Sequence, residues 1–234
     1  MKKLIVVAND LERSGKSSLA RAIYHHLKEL EAKVLFVTSN EMDMTENFDG
    51  DFWDLEDQFE VSSLIAALDN HDAVVLDVHT GAARNLGEFC ESEDLENLLA
   101  ELEAEMTLVI PNTQSERCNE EITDIAEIFS DSADYVIAHL PGNERAVKWK
   151  ASPAEKAIRY LGATEIRIPA INEDLVTAIE STDFDFAEAL NTPANLPRFA
   201  EVQVNQWLEK VSAALGEAHE YLHPEAIGEV ALDY

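Results

Sequence analysis

The sequence predicts an α/β fold, doubly wound, with a mostly parallel sheet and helices on both faces. Three observations carry that expectation. Short β-branched runs alternate with stretches of helical period. Each run is nearly all apolar, as strands buried on both faces require. No repeat, Gly/Ser linker or low-complexity block interrupts the alternation, so 1–234 reads as a single domain, with 197–234 as its C-terminal helix and acidic tail.

Taken in order, residues 4–8 are the first strand. Leu19, Ile23, Leu27 and Leu30 then form one helical stripe. Residues 34–38 and 73–78 are the next two strands. Leu95, Leu98, Leu99 and Leu102 make a second stripe, with Ser92-Glu93-Asp94 as its start signal. Strands follow at 107–110, 135–138 and 164–168, with a helix marked by Ile122, Ile125 and Phe129 after the first of these. A last helix spans about 199–215, with Phe199, Val202, Trp207, Val211 and Leu215 facing inward.

Composition excludes several function classes. Against 17 Lys+Arg stand 47 Asp+Glu, a formal net charge of −30, which disfavours phosphate backbones and anionic lipid as broad partners. Cys90 and Cys118 are too few for a disulfide framework and lack metal-ligand spacing. The longest apolar runs are strand-sized, and the one at residues 1–8 ends at once in Asn9-Asp10-Leu11-Glu12, unlike a signal peptide. The expected setting is the reducing cytoplasm, with no membrane attachment.

The chemistry concentrates after the first strand, in Asn9-Asp10-Leu11-Glu12-Arg13-Ser14-Gly15-Lys16-Ser17-Ser18. Gly-Lys-Ser at a strand-to-helix junction fits the end of the phosphate-binding loop pattern G-x-x-x-x-G-K-[ST]. Gly15 lets backbone N–H groups curl around phosphate oxygens. Lys16 brings charge to the β/γ-phosphates, the Ser17 hydroxyl suits Mg²⁺, and the helix adds its positive end. Arg13, Ser14 and Ser18 complete the candidate phosphate-binding set. Asp10 stands where the pattern has its first glycine, and with Glu12 it puts two carboxylates into the loop. Downstream, an apolar strand ends in Asp77, the rigid, partly dry position that a Mg²⁺-associated carboxylate needs. Gly81 can bring a backbone N–H to a γ-phosphate. His79 receives no role.

These segments resemble the ParA/MinD group of deviant P-loop ATPases over about residues 1–180. In that group the loop reads K-G-G-x-G-K-[ST]-[ST], often after Asn-Gln, and residues 9–18 occupy it at the same length. Asp77-Val-His-Thr-Gly81 corresponds to its D-[ST]-P-x-G segment. Leu108-Val-Ile-Pro111 with Asn112-Thr-Gln-Ser resembles its strand-then-turn, and Ile166-Arg-Ile-Pro169 its Ile-Pro near the base, which adds Pro169 to the nucleotide-binding candidates. The resemblance implies a P-loop NTPase fold, ATP and Mg²⁺ as ligands, Ser17 and Asp77 at the metal, and a nucleotide-dependent homodimer. It also implies a switch that positions plasmids or other cargo, or serves transfer, through protein partners.

The departures fall on the chemistry. The group's signature lysine is Leu11 here, its two glycines are Glu12 and Arg13, and its base-reading asparagine is His139. Its water-positioning aspartate falls on Asn40, with Glu41 or Asp43 as substitutes if the loop shifts. Asn40 and Asp77 are thus the catalytic candidates, and the implied hydrolysis is weak or lost. Two other readings stay open: a pseudo-ATPase scaffold, and a small-molecule P-loop ligase of dethiobiotin-synthetase type using Arg13 and Arg84.

Charge is unevenly spread. No Lys or Arg occurs from Val34 to Ala83, and nine of the twelve acids there crowd into residues 41–60, interleaved with Phe48, Phe52, Trp53, Leu55 and Phe59. Aromatics among acids suggest a contact surface for a basic protein partner; a solvated acidic loop is the plainer alternative. Residues 144–167 carry six basic side chains against three acidic ones, with Trp149 among them, and form the one segment where nucleic acid is not disfavoured.

Overall fold

The computed structural model describes residues 1–44, 50–56, 59–141, 149–182, 186–191 and 193–225. Among these, the elements run β1 (Lys2–Val7), α1 (Lys16–Glu29), β2 (Val34–Thr38), β3 (Asp51–Phe52), α2 (Val61–Asn70), β4 (Ala73–Asp77), α3 (Ala83–Ser92), α4 (Leu95–Glu101) and β5 (Ala104–Asn112). They continue with α5 (Glu116–Phe129), β6 (Asp134–His139), α6 (Pro153–Tyr160), β7 (Thr164–Arg167), α7 (Glu173–Glu180), α8 (Phe186–Asn191), α9 (Arg198–Gly216) and α10 (His219–Leu222). The strands form one seven-stranded sheet in the order β3-β2-β4-β1-β5-β6-β7, parallel throughout.

Two cores sandwich the sheet, and strand alternation assigns side chains to them. Leu4 and Val6 of β1, Val74 and Leu76 of β4, and Tyr135 and Ile137 of β6 enter the core under α2–α6. Ile5 and Val7, Val75, and Val136 and Ala138 enter the opposite core under α1 and α7–α10. This period of two, with both faces apolar, is why the strands read as continuous hydrophobic runs. The expected doubly wound α/β fold is the observed one.

Three local expectations are corrected. The strand placed at 107–110 extends to Ala104–Asn112 and runs through Pro111, which pairs with Ala138 and needs no amide N–H there. Ser92 ends α3 rather than starting a helix, and Asp94, at φ 50, caps α4. Phe199 is 60% exposed, and Val202 is only half-buried, because the inward stripe of α9 runs through Ala200, Val204, Trp207, Leu208, Val211 and Leu215. Residues 226–234 of the acidic tail lie outside the described residues. No described helix is long and apolar enough to cross a membrane.

Candidate functional site

β1 and β4 are neighbours, yet the chain leaves them on opposite faces, into α1 and α3 respectively. Such a divergence opens a crevice beyond the carboxyl ends, where ligands of open α/β sheets bind. A cavity of about 270 Å³ lies there, lined by residues 13–18, Asn40, Asp43 and residues 77–80.

The loop after β1 is pinned from below. Asn9 is fully buried; its Oδ1 accepts the Leu11 N–H at 2.9 Å and its Nδ2 donates to the Pro111 carbonyl of β5 at 2.9 Å. Gly15 caps α1 in the left-handed region at φ 82, which glycine adopts without steric cost. Lys16 is buried. Its ammonium donates to the Asn9 carbonyl, to the Leu11 carbonyl at 3.1 Å and to Thr80 Oγ1 at 3.1 Å. Desolvation lowers its pKa, opposed by the nearby carboxylates of Asp77, Asp10 and Glu121. Ser14 is also buried, and its hydroxyl has no hydrogen-bond partner among the described residues. Ser18 and the exposed Arg13, at φ 55, line the cavity.

Asp77 ends β4 at 3% exposure, so burial pushes its pKa up to about 6. The Ser17 hydroxyl opposes that rise by donating to its carboxylate, Asp43 reinforces it, and Arg21 and Lys16 oppose it. Asp77 Oδ1 is nevertheless buried with no hydrogen-bond partner among the described residues. An unsatisfied buried carboxylate oxygen is costly, and a bound cation would satisfy it.

Asn40 serves the local backbone. Its Oδ1 accepts the Met42 N–H at 3.2 Å and caps a short 3₁₀ turn at Glu41–Asp43, while its Nδ2 donates to Asp43 Oδ1 at 3.2 Å. The turn brings Asp43, not Glu41, to the cavity, held by the Thr38 hydroxyl at 2.9 Å. The cavity thus receives a carboxylate from Asp43, three residues after Asn40.

The remaining candidates are placed differently. The Gly81 N–H donates to Asp10 Oδ1 at 2.9 Å, so the loop after β4 is tied to the loop after β1. Pro169 does not line the cavity; its carbonyl accepts the Trp207 indole N–H at 3.1 Å. Leu11, at the signature-lysine position, is 8% exposed and packs into the core. His79, given no role from sequence, lines the cavity. Its N–H donates to Ser39 Oγ at 2.8 Å, and its ring bridges Ser39 at 2.9 Å and Glu56 at 3.2 Å. Thr80 and Asn9 were also missed, since a hydroxyl or amide that binds a lysine or a carbonyl across loops has no local sequence signature.

A second cavity, of about 590 Å³, lies beyond Leu140 at the ends of β6 and β7. There His139 Nε2 is 2.7 Å from Glu165 Oε2, which also accepts the Trp149 indole N–H at 3.0 Å, and Trp149 meets His139 edge-on at 5.3 Å. Trp149 is thereby engaged within the chain, and Arg159 pairs with Glu155. Residues 142–148 of the basic segment lie outside the described residues.

The acidic segment 41–60 requires a correction. Trp53 is 5% exposed and Leu55 7% exposed, and Trp53 stacks on Phe59, which meets Phe89 of α3. Phe52 is half-buried in β3. Trp53 and Leu55 therefore lie in the core under α2–α6, and Phe59 packs against it. Residues 45–49, with Phe48, and 57–58 lie outside the described residues. Arg84 lines a separate cavity beside α3 and does not reach Lys16's.

No family model matches the chain, and no curated protein matches it. Among solved structures, it is similar to McdA of Cyanothece, at 17% identity over 93% of this chain and 99% of that one, with a TM-score of 0.49. A McdA variant solved with ATP matches at 16% identity over 92% and 96%, with a TM-score of 0.44. The cell division protein MinD of Aquifex aeolicus, solved with MinC, matches at 13% identity over 92% and 96%, with a TM-score of 0.47.

Proposed function

We propose that this chain binds ATP with Mg²⁺ at the loop after β1 and works as a nucleotide-dependent switch through protein partners, with weak or lost hydrolysis. The observation that carries the reading is the convergence of a buried Lys16 with Ser17, Asp43 and Asp77 around one cavity at the divergence of β1 and β4. The residues fit a hydrated divalent cation. Ser17 supplies a hydroxyl, Asp77 an unpartnered buried oxygen, and Asp43 a second carboxylate near it. Bound there, Mg²⁺ would neutralise phosphate charge beside these acids. Lys16 and the N–H groups around Gly15 bind and orient phosphate oxygens, and Arg13 and Ser18 flank them.

Low turnover is favoured by two placements. Leu11 is buried where the resembled group has a lysine that reaches a partner's nucleotide, and Asn40 spends both side-chain groups on its own turn. A scaffold that binds without turnover is therefore the second reading. A basic partner would meet the 41–60 segment through carboxylates such as Asp51 and Glu56 rather than through its aromatics. The chain mass in solution, measured with and without ATP–Mg²⁺, tests the switch: doubling with nucleotide supports it, and a constant mass with bound nucleotide leaves the scaffold.

A further inference from the structure

We propose that Asp10 sets how many phosphates the site holds well: its carboxylate takes the Gly81 N–H that a third phosphate would use. This inference rests on the nucleotide-binding reading above. Gly81 follows Thr80, which lines the cavity and accepts from Lys16. The Gly81 N–H points back at the loop after β1 and donates to Asp10 Oδ1 at 2.9 Å. Gly81 sits at φ 96, and a Cβ there would meet nothing within 4 Å among the described residues, so its backbone conformation calls for glycine. A backbone N–H in such a loop attracts anions, and phosphate oxygens and carboxylate oxygens compete for it.

A second carboxylate deepens the effect. Glu121 of α5 accepts the Asp10 backbone N–H, and its pKa is raised by burial and then by the charges of Asp10 and Asp124, with Arg117 opposing. Asp10 and Glu121 both also act on Lys16. Two carboxylates thus stand just outside the cavity and act on the Lys16 ammonium that binds Thr80, and a terminal phosphate that takes the Gly81 N–H must displace Asp10. The two inner phosphates, at Gly15 and the start of α1, meet neither obstacle. A site so built holds ADP at least as tightly as ATP, and Asp10 is the residue that makes it so.

The test is titration calorimetry with ADP–Mg²⁺ and ATP–Mg²⁺ on the wild type, Asp10→Asn and Asp10→Gly, with amide hydrogen exchange of residues 79–82. Expected results are ATP binding no tighter than ADP binding in the wild type, and an ATP affinity raised about tenfold in both variants with ADP affinity within about twofold. Retained ADP binding also reports that the variants are folded. Faster exchange at the Gly81 amide is expected in Asp10→Gly, which removes the acceptor, whether or not nucleotide is added, while Asp10→Asn keeps an Oδ1 that accepts the N–H and loses only the charge. A wild type that prefers ATP tenfold, variants that shift both nucleotides alike, or unchanged Gly81 exchange in Asp10→Gly would each overturn the role of Asp10. A wild type that binds neither nucleotide, with Gly81 exchange responding as expected, overturns the nucleotide reading instead.

Discussion

Leu140 Cδ1 lies 2.7 Å from the point where a side chain on Gly15 would begin. Leu140 follows β6 and borders the second cavity, so this contact fits the loop after β1 against the neighbouring strand's end. Gly15→Ala therefore meets two obstacles, the left-handed φ of 82 and a branched side chain. The expected loss is about 1–3 kcal/mol of stability, read as a lower urea midpoint. Adding Leu140→Ala should not return the wild-type midpoint, because the backbone strain remains and a cavity is added; full recovery would show that φ is not limiting.

Asp77 is costly to keep. Its carboxyl is raised to about 6 in the folded chain against an ordinary 3.8, so the folded state holds its proton more tightly than the unfolded one. The sign makes the ionised group destabilising above pH 6, and its cost fades as pH falls from 6 toward 3.8. Asp77→Asn should stabilise the chain at pH 7 by on the order of 2 kcal/mol while removing Mg²⁺-dependent nucleotide binding. Thermal unfolding at pH 7 and pH 4.5 checks it: the gain shrinks at the lower pH, and a constant gain would contradict the cause given.

Acid sensitivity has a different source. His26 Nε2 and His223 Nε2 are 2.8 Å apart, with Ser212 Oγ at 2.7 Å from His26 Nδ1, joining α1 to α9 and to the chain after α10. Burial lowers both pKa values to about 4 from 6.5; the partner ring adds to this at His26, and His219 and Lys3 at His223. The unfolded histidines take up protons first, so their contribution is complete above pH 6.5 and is lost as pH falls toward 4. The loss by pH 5 should be on the order of 1–2 kcal/mol, mostly from the more buried His26. In His223→Gln the urea midpoint should fall less between pH 7 and pH 5 than in the wild type.

Trp53 is a core residue, so its removal should act through the fold. Trp53→Ala is expected to cost about 3–5 kcal/mol, since it empties a stack with Phe59 that continues to Phe89. Urea unfolding measures this directly. A stability within about 0.5 kcal/mol of the wild type would contradict the packing and return Trp53 to the surface.

The sheet was legible because its strands are buried on both faces, and the strand-to-helix junction at Gly15-Lys16-Ser17 because α1 starts there. What escaped was relational. Trp53 and Phe59 looked like a surface because their acidic neighbours are adjacent in sequence, whereas α2 and α3 cover them in space. The sequence offers Asp43 beside Glu41 as a substitute for Asn40, but the turn capped by Asn40 that selects Asp43 was not readable, and two-residue β3 is too short for a periodic signal. Ser152, Pro153 and Glu155 did carry a readable start for α6, with Ser152 Oγ accepting the Glu155 N–H at 3.0 Å. Asp10 was visible as a defect in the loop, but its bond to Gly81, 71 residues away, was not.

The central claim is that a buried Lys16 and its neighbours bind nucleotide phosphate. Titration of ATP–Mg²⁺ into the wild type and Lys16→Ala tests it most directly. The wild type should bind, and Lys16→Ala should weaken binding by at least about tenfold with its thermal unfolding still cooperative. Equal affinity in the two proteins would contradict it.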